Sequence, residues 1–174
     1  MHSHRNFAAK AVGLLTAATL LTAPQAALAA GKSASIEGAW TVTDVVVTGA
    51  NPTTNPSPQP SIYIFSHGHY SQTADTGRTL RAGVTVKDPA NPTDAEKVAK
   101  YQEWGPVIAQ AGTYELKGTT LIRHPIVAKN VAAIGPGGQS ESEIKLTGDT
   151  LVMISHAAAG QPAREQRLTL TRAK

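Results

Sequence analysis

After the first 29 residues the chain carries His67, His69, His124 and His156, and two of these stand one residue apart. A His-x-His pair on a strand puts both imidazoles on one face, a spacing that metal sites use. Here Gly68 lies between them and reads as a turn, which breaks the alignment, and no third ligand is near in sequence. No metal is therefore expected. Asp75-Thr76-Gly77 matches the aspartic-protease tripeptide, but that chemistry needs two carboxylates sharing a proton, and a second such tripeptide is missing. It reads as a turn after a strand. Cysteine is absent, and so is a Gly-x-Ser-x-Gly elbow, so no familiar activated nucleophile is present. Gly135-Pro136-Gly137-Gly138 lacks the Lys-Ser/Thr of a phosphate loop and reads as a flexible connection. No catalytic residue is assigned, and no cofactor is called for.

Two groups of side chains remain. Asp44, Glu115, Glu141 and Glu143 fall on expected strands. Under strict alternation Asp44 shares the face of Trp40; burial would then raise its pKa, and with His69 or Tyr63 it could support proton transfer. The alternative, that the strand bends or bulges and turns Asp44 to water, is preferred. The second group is Tyr63, Phe65, His69, Tyr114 and Arg123. A ligand cavity wants apolar walls with a few orienting polar groups, and these five provide that mix. Across a turn at His67-Gly68, Phe65 would oppose Tyr70 and Ser66 would oppose His69; across Gly118-Thr119, Tyr114 would oppose Arg123 and Leu116 would oppose Leu121. The competing reading makes the aromatics ordinary core and sends the Arg and His to solvent, since alternation alone does not say which face is inside.

The elements that must position these residues are mostly strands. Residues 36–49 are a β-rich run containing Val42 and Val45-Val46-Val47. Residues 49–60 read as a loop, because Pro52, Pro56, Pro58 and Pro60 prevent regular pairing. Hairpins are expected from 61–66 with 69–74, from 112–117 with 120–128, and from 140–147 with 150–156; a last strand spans 164–172. Residues 80–87 could hold a short strand. One helix is signalled: Thr93 with Glu96 forms a capping box, Glu96 and Lys100 stand at i,i+4, Ala95, Val98 and Tyr101 or Gln102 follow one face, and Gly105-Pro106 ends it. About eight strands joined by short turns suit an antiparallel up-and-down barrel, which removes all sheet edges. A sandwich is the other option.

The N-terminus reads as a secretory signal peptide over residues 1–29: Arg5 and Lys10, an apolar run over 11–21, then Ala27-Leu28-Ala29 as the cleavage site. The apolar run is too short to span a bilayer, and no later stretch offers a membrane span in the mature chain. A flexible stretch, 30–35, and one domain, 36–174, would remain. Without cysteine the exported chain has no disulfide framework and no lipid-anchoring site, so the fold must stand on its core. Losing Arg5 and Lys10 leaves 14 bases against 12 acids. The bases are scattered, so no nucleic acid is expected as partner. Pro follows Asn51, Asn55 and Asn91 and blocks glycosylation there.

Gly38-Ala39-Trp40 opens the first strand as the Gly-x-Trp of lipocalins does. With Ile62-Tyr63-Ile64-Phe65, His69-Tyr70-Ser71, Gly112-Thr113-Tyr114-Glu115 and His124-Pro125-Ile126-Val127-Ala128-Lys129-Asn130, the pattern from Ile36 to Arg172 resembles a family of bacterial lipocalin-like domain proteins. The resemblance implies a calycin-type β-barrel whose floor is closed by Trp40 with Arg172 or Arg167 lying across it. It implies that the Pro-rich loop partly covers the open end. It implies neither a ligand nor an activity. The expected protein is thus exported, periplasmic or extracellular, and binds a small hydrophobic molecule inside a lipocalin-like barrel. The alternatives are an envelope structural protein with a filled barrel and a barrel enzyme acting on an apolar substrate.

Overall fold

The computed structural model describes residues 35–174; the expected leader, 1–29, and residues 30–34 lie outside the described residues. Nine strands and one α-helix follow: β1 (Gly38–Gly49), β2 (Thr53–Asn55), β3 (Ser61–Ser66), β4 (His69–Asp75), α1 (Asp94–Glu103), β5 (Val107–Lys117), β6 (Thr120–Ala128), β7 (Ser140–Thr147), β8 (Thr150–His156) and β9 (Arg164–Arg172). All pairings are antiparallel between chain neighbours, and β1 pairs with both β3 and β9. Eight strands thereby close into an up-and-down barrel, and β2 is an extra strand. Closure leaves no exposed edge along the ring.

The turns explain the register. His67 and Gly68 both take positive φ, 48° and 76°, as a two-residue turn matched to strand twist requires. Phe65 then faces Tyr70 and Ser66 faces His69. The β5–β6 and β7–β8 hairpins turn at Gly118 and Gly148, again at positive φ. These three tight turns lie at one end of the barrel. The connections at the other end are longer, and the longest, between β4 and β5, contains α1.

Two bulges set which residues face inward. In β1 the pairing with β9 skips a residue between Val42, opposite Leu170, and Asp44, opposite Thr169. The extra residue shifts the alternation, so Trp40 and Val42 point in, and beyond the bulge Val45 and Val47 point in. Asp44 shares the outer face with Thr169. The strictly alternating phase that would place its carboxylate in the barrel does not occur. In β5–β6 the register shifts beside Gly112, which faces Pro125. A Cβ on Gly112 would run into the His124 carbonyl oxygen, and Pro125 sits at the irregularity, where a missing N–H is tolerated.

Three local expectations change. Residues 53–55 pair with Val45–Val47 of β1 although four prolines surround them: Thr53-Thr54-Asn55 is a stretch with free N–H groups between Pro52 and Pro56. Residues 80–87 form no strand. The Val84 and Lys87 amides there donate instead to the carboxylates of Glu103 and Glu96. The Thr93–Glu96 capping box is present in both directions. Glu96 spends its carboxylate on the Thr93 and Lys87 amides, and Lys100 pairs with Glu103 at 2.8 Å rather than with Glu96. No residue of α1 is buried, and Tyr101 is 80% exposed, so its apolar side chains do not join the core. Lys129 ties the helix end to the barrel by donating to the carbonyls of Trp104, Gly105 and Val107.

The core fills the tight-turn half of the barrel. Ile36, Trp40, Tyr63, Phe65, Tyr70, Leu121, Leu151, Met153 and Leu170 form one buried cluster, with Val42, Tyr114, Ile144, Leu146 and Leu168 packed against it. The other half, where Val47, Ser61 and Ala74 are buried, holds a cavity.

Candidate ligand cavity

The floor is built by the N-terminal residues and β9. Trp40 is fully buried, and its indole N–H donates to the Ile36 carbonyl at 2.7 Å. The Arg172 guanidinium lies 4.1 Å from the centre of the Trp40 ring and donates to the carbonyls of Glu37 and Ser35. Of the two arginines the resemblance offered for this place, Arg172 occupies it. Arg167 lies on the outer face opposite Val46, and its guanidinium is 3.8 Å from Glu165. The Glu37 carboxylate accepts from the His67 amide and from the Tyr114 hydroxyl, the latter at 2.8 Å. Burial, together with Glu37, pushes the Tyr114 phenol up to about 12. Residues 35–37 are thereby tied to the last strand and to two hairpins.

Above this floor lies a cavity of about 560 Å³ that opens at the long-loop end. Its size is within the roughly 300–1,000 Å³ typical of small-molecule sites. The strand order places β8, β9 and β1 across the barrel from β4, β5 and β6, and the two walls differ in chemistry. Met153, Leu168, Val42 and Val45 make the first wall chiefly apolar. Gln72, Gln110 and Arg123 give the second a polar group, with Ala74 and Ile108 above it. Gln72 accepts at one oxygen from Gln110 at 3.1 Å and from Arg123 at 3.0 Å. Tyr63 stands beside this network, on β3.

Arg123 is the unusual member. It is 7% exposed, and its guanidinium lies 5.9 Å from the Tyr63 ring centre and 5.8 Å from that of Tyr70. Among the described residues it makes no ion pair with a carboxylate, and its Nε has no hydrogen-bond partner. The Tyr70 hydroxyl and the Ser140 hydroxyl are likewise buried without partners. Burial pushes the phenols of Tyr63 and Tyr70 up, and the Arg123 charge opposes this at both. At the mouth, Arg78 and Arg164 line the rim with Asp75. Burial alone would raise the Asp75 carboxyl, but the Gly77 amide and Arg81, at 2.5 Å, outweigh it and hold the group below its ordinary range.

The five residues expected to line a ligand site separate into three places. Tyr63 and Arg123 line the cavity. Phe65 and Tyr114 point inward but belong to the floor, their rings edge to face at 5.3 Å. His69 is on the outer face and does not reach the interior, because its neighbours Tyr70 and Gln72 face in and alternation sends it out. Asp44 lies outside too, so the acid–base pairing weighed for Asp44 with His69 or Tyr63 has no geometry in the barrel. Sequence reasoning missed Gln72, Gln110, Met153 and Leu168. A signal for the first two existed: Tyr63 faces Gln72, and Gln72 faces Gln110, along one rung of the sheet. Among the described residues no three His, Asp, Glu or Cys side chains gather as metal ligands.

The chain matches no protein-family model, no curated protein and no solved structure.

Proposed function

We propose that this protein is an exported carrier that takes a small, largely apolar molecule into the upper half of its barrel. The observation that carries the reading is the cavity of about 560 Å³ above a sealed floor, open at one end only in its construction of long loops over tight turns. The apolar wall of Val42, Val45, Met153 and Leu168 offers a guest the burial that drives binding, at about 25 cal/mol per Å² of apolar surface removed from water. The leader-like residues 1–29 support delivery outside the cytoplasm, to the periplasm or the medium. A filled structural barrel would place large side chains where the cavity is. An enzyme of the kind considered would need an interior acid–base pair, and Asp44 faces away.

Native mass spectrometry of the protein purified from its host's exported fraction tests the reading. A discrete extra mass, lost on denaturation, is the expected result and identifies the guest. A bare mass, together with an unchanged melting temperature across a panel of fatty acids, terpenoids and aromatic metabolites, would overturn it. A ligand at a hundredfold excess over its Kd should stabilise the fold by about 2.7 kcal/mol, well within reach of such a panel.

A further inference from the structure

We propose that the guest is an amphipathic monoanion whose carboxylate sits against Arg123 while its apolar chain lies along the β8–β9–β1 wall; this rests on the cavity being a ligand site. A guanidinium is always charged, and burying that charge without a counter-charge is costly. The described residues give Arg123 only neutral polar partners, the Gln72 oxygen and the neighbouring Tyr63 hydroxyl, and no carboxylate; its Nε stays without a partner. An arginine of this kind has donors to spare, and it stands in the wall of a cavity that enters the barrel interior. Nothing negative competes for it there. Among the described residues Asp75 is the sole carboxylate in the cavity lining, and it lies at the rim, already engaged by Arg81. Arg78 and Arg164 at the same rim add positive charge along the route an anion would take.

The arrangement also sets the kind of anion. Among the described residues Arg123 is the one cation in the deep part of the cavity lining, which matches a single negative charge. A phosphate monoester would bring close to two charges into a site with one counter-charge. The guanidinium fork fits a planar carboxylate in two parallel hydrogen bonds. The opposite wall carries Val42, Val45, Val47, Met153 and Leu168, with Ser155 and Gln166 toward the mouth. A molecule with one carboxylate and an aliphatic body satisfies both walls at once.

Calorimetric titration of the full chain with decanoate, decanol and decyl phosphate tests this. Decanoate should bind about 10- to 100-fold more tightly than decanol, the range expected of a charge-assisted hydrogen-bonded pair. Arg123→Met should remove that preference while leaving decanol affinity within about threefold of wild type, and Arg123→Lys, which keeps the charge but loses the fork, should fall between. The wild-type comparison of decanoate with decanol stands by itself should the methionine variant fold poorly. Equal binding of decanoate and decanol, or an Arg123→Met protein that still prefers decanoate, would overturn the anion and leave the cavity reading intact. Tighter binding of decyl phosphate than of decanoate would overturn the carboxylate. Failure of all three to bind would count against the cavity reading itself, and the proposal would fall with it.

Discussion

Replacing Trp40 with alanine should destabilise the barrel by about 4 kcal/mol. The side chain is fully buried, and an indole buries roughly 150–250 Å²; at about 25 cal/mol per Å² that surface alone is worth about 4–6 kcal/mol as an upper estimate. Partial collapse of the site recovers some of this, which brings the expectation into the range of about 3–5 kcal/mol found for large aromatic truncations. Two specific contacts can be separated from the volume. Trp40→Phe keeps most of the filling but loses the hydrogen bond to the Ile36 carbonyl, so it should cost about 1–2 kcal/mol. The contact of Arg172 with the ring face should appear in a double-mutant cycle as about 0.5–2 kcal/mol of coupling. Urea unfolding followed by far-ultraviolet circular dichroism gives all of these numbers. A Trp40→Ala protein within about 1 kcal/mol of wild type would refute the argument that this residue closes the barrel floor.

Further outcomes follow from other parts of the fold. Three tyrosines, Tyr63, Tyr70 and Tyr114, have phenols raised by burial. The unfolded chain releases those protons first, so their contribution is complete below the unfolded value near 10 and is lost as pH rises through the folded value, about 12 for Tyr114. Denaturation midpoints should therefore fall between about pH 10 and 12, and Tyr114→Phe should make that fall shallower. Gly112→Ala should cost at least about 2 kcal/mol, because its Cβ would meet backbone of β6 rather than a yielding side chain; unfolding midpoints report it. Thr93→Ala should remove about 1 kcal/mol of cap energy from α1. Since α1 buries nothing, this should appear as faster amide exchange over residues 94–98 with the global melting temperature unchanged.

The strands were legible because their turns were. Gly68, Gly118 and Gly148-Asp149 marked three hairpins whose observed bounds match the expected ones at β3, β6, β7 and β8, with β9 also where alternation put it. β5 begins at Val107, five residues before the expected 112. Gly105-Pro106 and the small or amide side chains Ala109, Gln110 and Ala111 gave no strand pattern to extend it. The cavity was harder to read, because inside and outside are fixed by closure and bulges rather than by local composition. The shift at Val42–Asp44 depends on how β1 meets β9, more than 120 residues later, and no local signal announces it. His69 is a different case. Once Phe65 and Tyr70 are placed opposite each other as inward neighbours, alternation already sends His69 outward. Gln72 and Gln110 were passed over because uncharged amides look like surface residues until they are found sharing one oxygen's hydrogen bonds with an arginine.

The pairing of the first strand with the last has a consequence for when the protein can fold. Trp40 to Gly49 take their partners from residues 164–172, so the seam of the barrel joins the beginning of the described chain to its end. During synthesis, β1 waits with one side open until β9 has been made, and the Arg172 that covers Trp40 arrives with that strand. Hairpins can form as they emerge, but the ring cannot close early. Such distant pairings slow folding, since loop closure must precede the contacts that reward it. A ring built this way commits to its final shape only when β9 is in place to meet β1.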